Sequence, residues 1–143
     1  MTILFVCTGN TCRSPMAACM MENLCRQQGV SGIRCLSAGV DAWDGQPASS
    51  GAQHAMQQRG LSLATHRSQT VTQELLNQTD LVFCVSSRHG DALQYRFASV
   101  PPIHCFQPAI PDPFGGSDAE YEACAAAMEQ QLEAFVQQLG QQA

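Results

Sequence analysis

Hydrophobic residues fall along this chain in alternating blocks: short continuous apolar runs of strand length, and longer stretches with a helical period. The first run, 2 to 7 in TILFVC, is apolar, as befits a strand covered on both faces at the centre of a parallel sheet. From Ser14 the period changes. Ser14 can cap a helix, Pro15 suits its first position, and Ala17, Met20, Met21 and Leu24 share one face until Gly29 stops it. IRCLSAG, 33 to 39, predicts a second strand, followed by the loop VDAWDGQP. A second helix is predicted from about Ser49 to Arg59, ended by Gly60, and GLSLATHRSQTV reads as an irregular connection.

Thr72 can cap a short helix through QELLNQ, and DLVFCV, 80 to 85, predicts the third strand. Ser86 to Phe97 reads as a weaker helix interrupted at Gly90. Pro101 and Pro102 break it, and IHCF, 103 to 106, makes a fourth strand. The polar, proline-rich loop QPAIPDPFGG leads to a last helix. There Ser117 and Glu120 form a capping box, and Tyr121, Ala125, Met128, Leu132, Phe135, Val136 and Leu139 form an unbroken apolar stripe.

Four strands alternating with helices predict an α/β chain: a three-layer, doubly wound fold with a four-stranded parallel sheet, in a single domain over 1–143. In such folds ligands bind beyond the carboxyl ends of the strands. The loops after Val6, Ser37 and Phe106 all leave from that edge and can converge.

Charge narrows the partners. Twelve acidic residues stand against seven basic ones, all arginine, for a net charge of −5. Nucleic acid and anionic membrane surfaces are therefore disfavoured. No apolar run approaches the roughly 18 residues that span a bilayer, and the N-terminus has neither the basic start nor the cleavage site of a signal peptide. The expectation is a cytoplasmic monomer. Cys19, Cys25, Cys35, Cys84, Cys105 and Cys124 are scattered through helix-like and strand-like runs and read as small hydrophobes in a reducing compartment. Without a CxxC pair, and with His54, His66, His89 and His104 at no ligand spacing, no metal or other cofactor is expected.

The chemistry concentrates in FVCTGNTCRSP, Phe5 to Pro15, which reads strand, tight loop, helix start. Such a loop can turn its backbone N–H groups inward, and the helix behind it adds partial positive charge, so a phosphate would be well held. Cys7 would lie at the floor of this cradle, where the same field favours a thiolate, and Arg13 offers a planar fork for two phosphate oxygens. Attack on a phosphoryl group also needs an acid for the leaving atom. Asp112 in IPDPFGG is the candidate, stiffened by flanking prolines in a setting expected to be partly apolar. Taken alone, it reads first as an ordinary turn residue.

CTGNTCRSP resembles the C(x)5R(S/T) loop of the low-molecular-weight protein tyrosine phosphatases, and DPFGG resembles their DP(Y/F/W) acid loop. The resemblance extends through SAG and DLVFCV over essentially the whole chain, and implies a flavodoxin-like fold acting on phosphorylated proteins or peptides. It implies Cys7 as the nucleophile that becomes a phosphocysteine, Arg13 as phosphate clamp, Asp112 as general acid and then general base, and Ser14 as donor to the thiolate. Thr8, Gly9, Asn10, Thr11 and Cys12 would complete the phosphate loop, with Gly9 at a position needing close backbone approach or positive φ. Asn10 would hold that loop through bonds to Ser37 and His66, and Trp43 and Phe114 would wall the pocket. Cys12 matches a thiol that in this family can form a disulfide with the nucleophile; it can also be simply a small buried side chain.

CTGNT together with DPFGG looks like the branch acting on protein phosphoarginine, with phosphotyrosine as the alternative. A hydroxyl at Thr11 can bond a guanidinium, where a branched alkyl group would favour a phenyl ring. Arsenate reductases share the fold but need further cysteines after the third strand; here that segment is SSRHGDALQ, with Ser86 in place of a resolving thiol. A phosphocysteine carrier would need no acid, and Asp112 argues against one.

Overall fold

The computed structural model describes residues 1–142. Thr2–Cys7 (β1), Arg34–Gly39 (β2), Leu81–Cys84 (β3) and Ile103–Cys105 (β4) form one parallel sheet in the order β2-β1-β3-β4. Helices Arg13–Gln28 (α1), Ser50–Gln57 (α2), Gln73–Asn77 (α3), Ser87–Arg96 (α4) and Asp118–Gln141 (α5) cover it. The expected three-layer α/β architecture is present.

Successive strand residues face opposite ways, and β1 shows what this does. Ile3, Phe5 and Cys7 join the core beneath α1, α2 and α5, whereas Leu4 and Val6 join Leu76 of α3 and Leu93 of α4. Cys7 therefore lies on the α1 side, directly before the loop that opens that helix. Through the centre of the same core Phe83 stacks on Phe5 and packs at a tilt against Phe106, with ring centroids 5.2 and 4.6 Å apart.

The caps at Thr72 and Ser117 form as their sequences require, the latter as a full capping box with Glu120. Three expectations are corrected. Ser14 does not cap α1: the helix begins two residues earlier, at Arg13, Cys12 occupies the cap without a side-chain bond, and the Ser14 hydroxyl turns toward Cys7. Gly90 does not interrupt α4, which runs unbroken from Ser87 to Arg96. It is buried because α4 lies so close to β4 that a Cβ there would stand 3.2 Å from Ile103 Cγ2. The second connecting loop leaves after Gly39 rather than Ser37, since β2 pairs with β1 through Cys7↔Gly39. No helix among the described residues is long and apolar enough to cross a membrane.

Candidate active site

The loop 8–12 bends across the carboxyl end of the sheet and is pinned there by backbone bonds. Val40 N–H donates to the Cys7 carbonyl and Asp41 N–H to that of Thr8, both at 3.0 Å. Gly39 makes this possible: a Cβ at that position would collide with the Thr8 carbonyl oxygen and come within 3.1 Å of the Asn10 nitrogen. The loop's left-handed residue is Asn10, with φ 58°, and Asn tolerates that region better than most side chains. The positive φ expected as one possibility at Gly9 falls on Asn10 instead, and among protein atoms a Cβ at Gly9 would meet only Thr11 Oγ1, at 3.9 Å.

Asn10 is fully buried and its side chain is saturated. Its amide donates to Ser14 Oγ (2.8 Å) and Ser37 Oγ (3.0 Å), and its Oδ1 accepts from Gln69 N–H (2.9 Å). His66 Nε2 donates to the Asn10 backbone carbonyl at 2.7 Å, so the expected His66 bond runs through the main chain. Burial holds the His66 pKa below the ordinary imidazole range, against the raising effect of that carbonyl.

Cys7 Sγ lies 2.9 Å from Ser14 Oγ and accepts from Asn10 N–H at 3.3 Å. Above it opens a cavity of about 220 Å³ lined by the seven residues Cys7 to Arg13 together with Asp112 and Phe114. Arg13 is buried; its Nη1 donates to the Ile110 carbonyl at 2.9 Å and its Nη2 stands 3.8 Å from Asp112 Oδ2. The guanidinium thus ties the late proline-flanked loop to the early cysteine loop. Asp112 is not in the apolar setting expected of it: its side chain is 52% exposed at the cavity mouth, and its Oδ1 accepts from Phe114 N–H at 3.1 Å. The prolines fix the backbone here but do not cover the carboxylate.

Phe114 and Trp43 project into solvent, 74% and 81% exposed. Phe114 borders the Cys7 cavity, whereas Trp43 lines an adjoining groove of about 650 Å³ shared with Gly9, Thr11 and Phe114. Cys12 Sγ is held between Ser49 Oγ (3.3 Å) and Tyr121 OH (3.4 Å), and all eight thiols are free. Burial raises the pKa of each of the six cysteines outside the loop, to about 12 for Cys35 and Cys124, which disfavours their thiolates.

Sequence reasoning missed His89. It is buried in the first turn of α4, with Nε2 2.8 Å from Thr8 Oγ1 and Nδ1 2.6 Å from Ser86 Oγ. The available signal was positional: SSRH follows β3 at the same sheet edge from which the cysteine loop departs.

A buried sulfur, a fixed guanidinium and a carboxyl around one small cavity can carry out nucleophilic displacement on a tetrahedral oxyanion. Residues 2–143 match the family model described as low molecular weight phosphotyrosine protein phosphatase. The chain belongs to this family. It is 34% identical over 145 residues to a protein-arginine-phosphatase of Geobacillus stearothermophilus, covering 96% of this chain and 95% of that protein. It is 38% identical over 98 residues to the probable low molecular weight protein-tyrosine-phosphatase EpsP of Ralstonia solanacearum, covering 68% and 64%. Among solved structures it resembles a cysteine-to-serine mutant of the YwlE arginine phosphatase with a phosphorylated active-site serine. That match has a TM-score of 0.93 at 30% identity and covers 98% of this chain and 96% of the other. The chain is thus a low molecular weight protein phosphatase.

Proposed function

We propose that this phosphatase hydrolyses phosphoarginine in proteins through a phosphocysteine formed on Cys7. The observation that carries the catalytic part is the single cavity in which Cys7, the loop amides, Arg13 and Asp112 meet. Cys7 thiolate attacks phosphorus while the Arg13 fork and the amides hold the equatorial oxygens; the phosphorus–nitrogen bond breaks, and Asp112 delivers a proton to the departing guanidine nitrogen. Water then attacks the phosphocysteine, Asp112 carboxylate takes its proton, and the sulfur–phosphorus bond breaks to release phosphate and restore the thiolate. Ser14, bonded to Cys7 and Asn10, donates to that thiolate in both resting and leaving states.

Thr11 carries the substrate preference. It lines both the Cys7 cavity and the neighbouring groove, where its hydroxyl can accept from a guanidinium. One hydrogen bond to a charged group is worth about 1.5–3 kcal/mol, one to two orders of magnitude in rate ratio. A relative that matches over most of both chains, the Geobacillus stearothermophilus protein named a protein-arginine-phosphatase, is in line with the same choice. The exposed pair Trp43 and Phe114 favours a second reading, phosphotyrosine, whose ring could lie between them. The deciding experiment compares kcat/KM on phosphoarginine and phosphotyrosine peptides for wild type and Thr11→Ile. Wild type should prefer phosphoarginine, and Thr11→Ile should shift the ratio about tenfold or more toward phosphotyrosine; an unchanged ratio contradicts the assignment to Thr11.

A further inference from the structure

His89 belongs to none of the roles above, yet it is the most buried histidine, 5% exposed, and both of its ring nitrogens are engaged. A histidine serving only the core would bury its ring among the apolar residues beneath α4. This one bridges two hydroxyls instead, Ser86 behind it and Thr8 in the cysteine loop. Thr8 is the first residue after Cys7, and its carbonyl is already held by Asp41 N–H. Its main chain is therefore gripped from the β2 side and its side chain from α4. Beyond Gly9, His66 grips the Asn10 carbonyl from the opposite flank. Two imidazoles thus clamp the loop on either side of its one glycine.

We propose that His89 is a positioning residue: backed by Ser86, its imidazole fixes Thr8 and so orients the first amides of the loop above Cys7. The proposal rests on reading that loop as the phosphate site. The surroundings suit a neutral ring. Burial, Arg13 and Arg88 push its pKa down to about 4, with Asp112 and Asp41 opposing, so at neutral pH it places no second cation beside Arg13 to hold phosphate in a displaced position.

The test measures kcat and KM on an aryl phosphate, and inhibition by inorganic phosphate, for Thr8→Val, His89→Ala, His89→Gln and the double variant Thr8→Val/His89→Ala. One neutral hydrogen bond corresponds to about a three- to tenfold change. Thr8→Val and His89→Ala should each weaken phosphate inhibition and lower kcat/KM by that factor, and the double variant should be no worse than the poorer single one. His89→Gln, whose amide can reach Thr8, should recover part of the loss. A lowered melting temperature with kcat/KM and phosphate inhibition within twofold of wild type overturns the proposal. So do effects that multiply in the double variant, or a loss at His89→Ala with none at Thr8→Val. If His89→Ala does not fold, Thr8→Val and His89→Gln decide on the same readouts, since Thr8 is exposed. Wild-type turnover that survives Cys7→Ser would overturn the underlying reading of the loop, and that result is seen without touching His89.

Discussion

Asp112 and Arg13 lie 3.8 Å apart, close enough to attract but not to form a tight ion pair, and the carboxylate remains open to solvent. In the proposed reaction Asp112 first gives and then takes a proton, which this freedom permits, while the Ile110 carbonyl holds Arg13 in place. Asp112→Asn should lower kcat by two to three orders of magnitude, within the span of general acid–base effects, while inhibition by phosphate changes by less than about threefold. A kcat within twofold of wild type would remove Asp112 from the chemistry. Gly39 bears on the same site through space alone. In Gly39→Ala the new methyl group must displace the Thr8 carbonyl, and kcat/KM should fall by about tenfold or more because small misplacements at a reacting centre are costly. Steady-state kinetics on an aryl phosphate will show this, and a fully active Gly39→Ala would mean that the loop tolerates the shift.

The elements themselves were legible because their apolar periods are long and their caps are local. The TILFVC run, the α5 stripe and the Ser117–Glu120 box each depend on neighbours in sequence. Errors arose where tertiary contacts override local preference. Ser14 has the residue type of a cap, but Cys7 and Asn10 claim its hydroxyl; Gly90 has the residue type of a helix breaker, but it sits where α4 packs closely on β4 and the helix continues through it. Ser117 offers a test of a helix start whose cap bonds lie outside the Cys7 cavity, since its side chain bonds only to Glu120. Ser117→Ala should cost about 1 kcal/mol, lowering the melting temperature by roughly 2–4 °C with turnover unchanged. Thermal unfolding alongside an aryl phosphate assay checks both halves.

At the scale of the whole molecule, the parallel sheet gathers loops that are remote in sequence at one edge. That Cys7, Arg13 and Asp112 meet at one cavity was legible from sequence, because the motif and the sheet-edge rule point to the same place. The Gly39 contact, the Arg13–Ile110 bond and the His89 bridge were not, because each is defined by which strands are neighbours rather than by residue type. The same burial makes stability depend on pH. The pKa of His89 falls from the ordinary 6.5 to about 4 on folding, and that of His66 falls too. Between about pH 6.5 and 4 the unfolded chain therefore binds protons that the folded one does not, and stability is lost as pH falls, by about 2–3 kcal/mol through His89. Urea denaturation at pH 7 and 4.5 should show a smaller drop for His89→Gln than for wild type; equal drops would contradict a buried, uncharged His89.

The proposed reaction depends on covalent chemistry at one sulfur. Wild-type enzyme turning over an aryl phosphate, quenched within milliseconds and digested for mass spectrometry, should carry one added phosphoryl group on the peptide containing Cys7. That group should accumulate in step with a burst of leaving group equal to the enzyme present. A burst without phosphate on Cys7, or phosphate found on a different side chain, would contradict it.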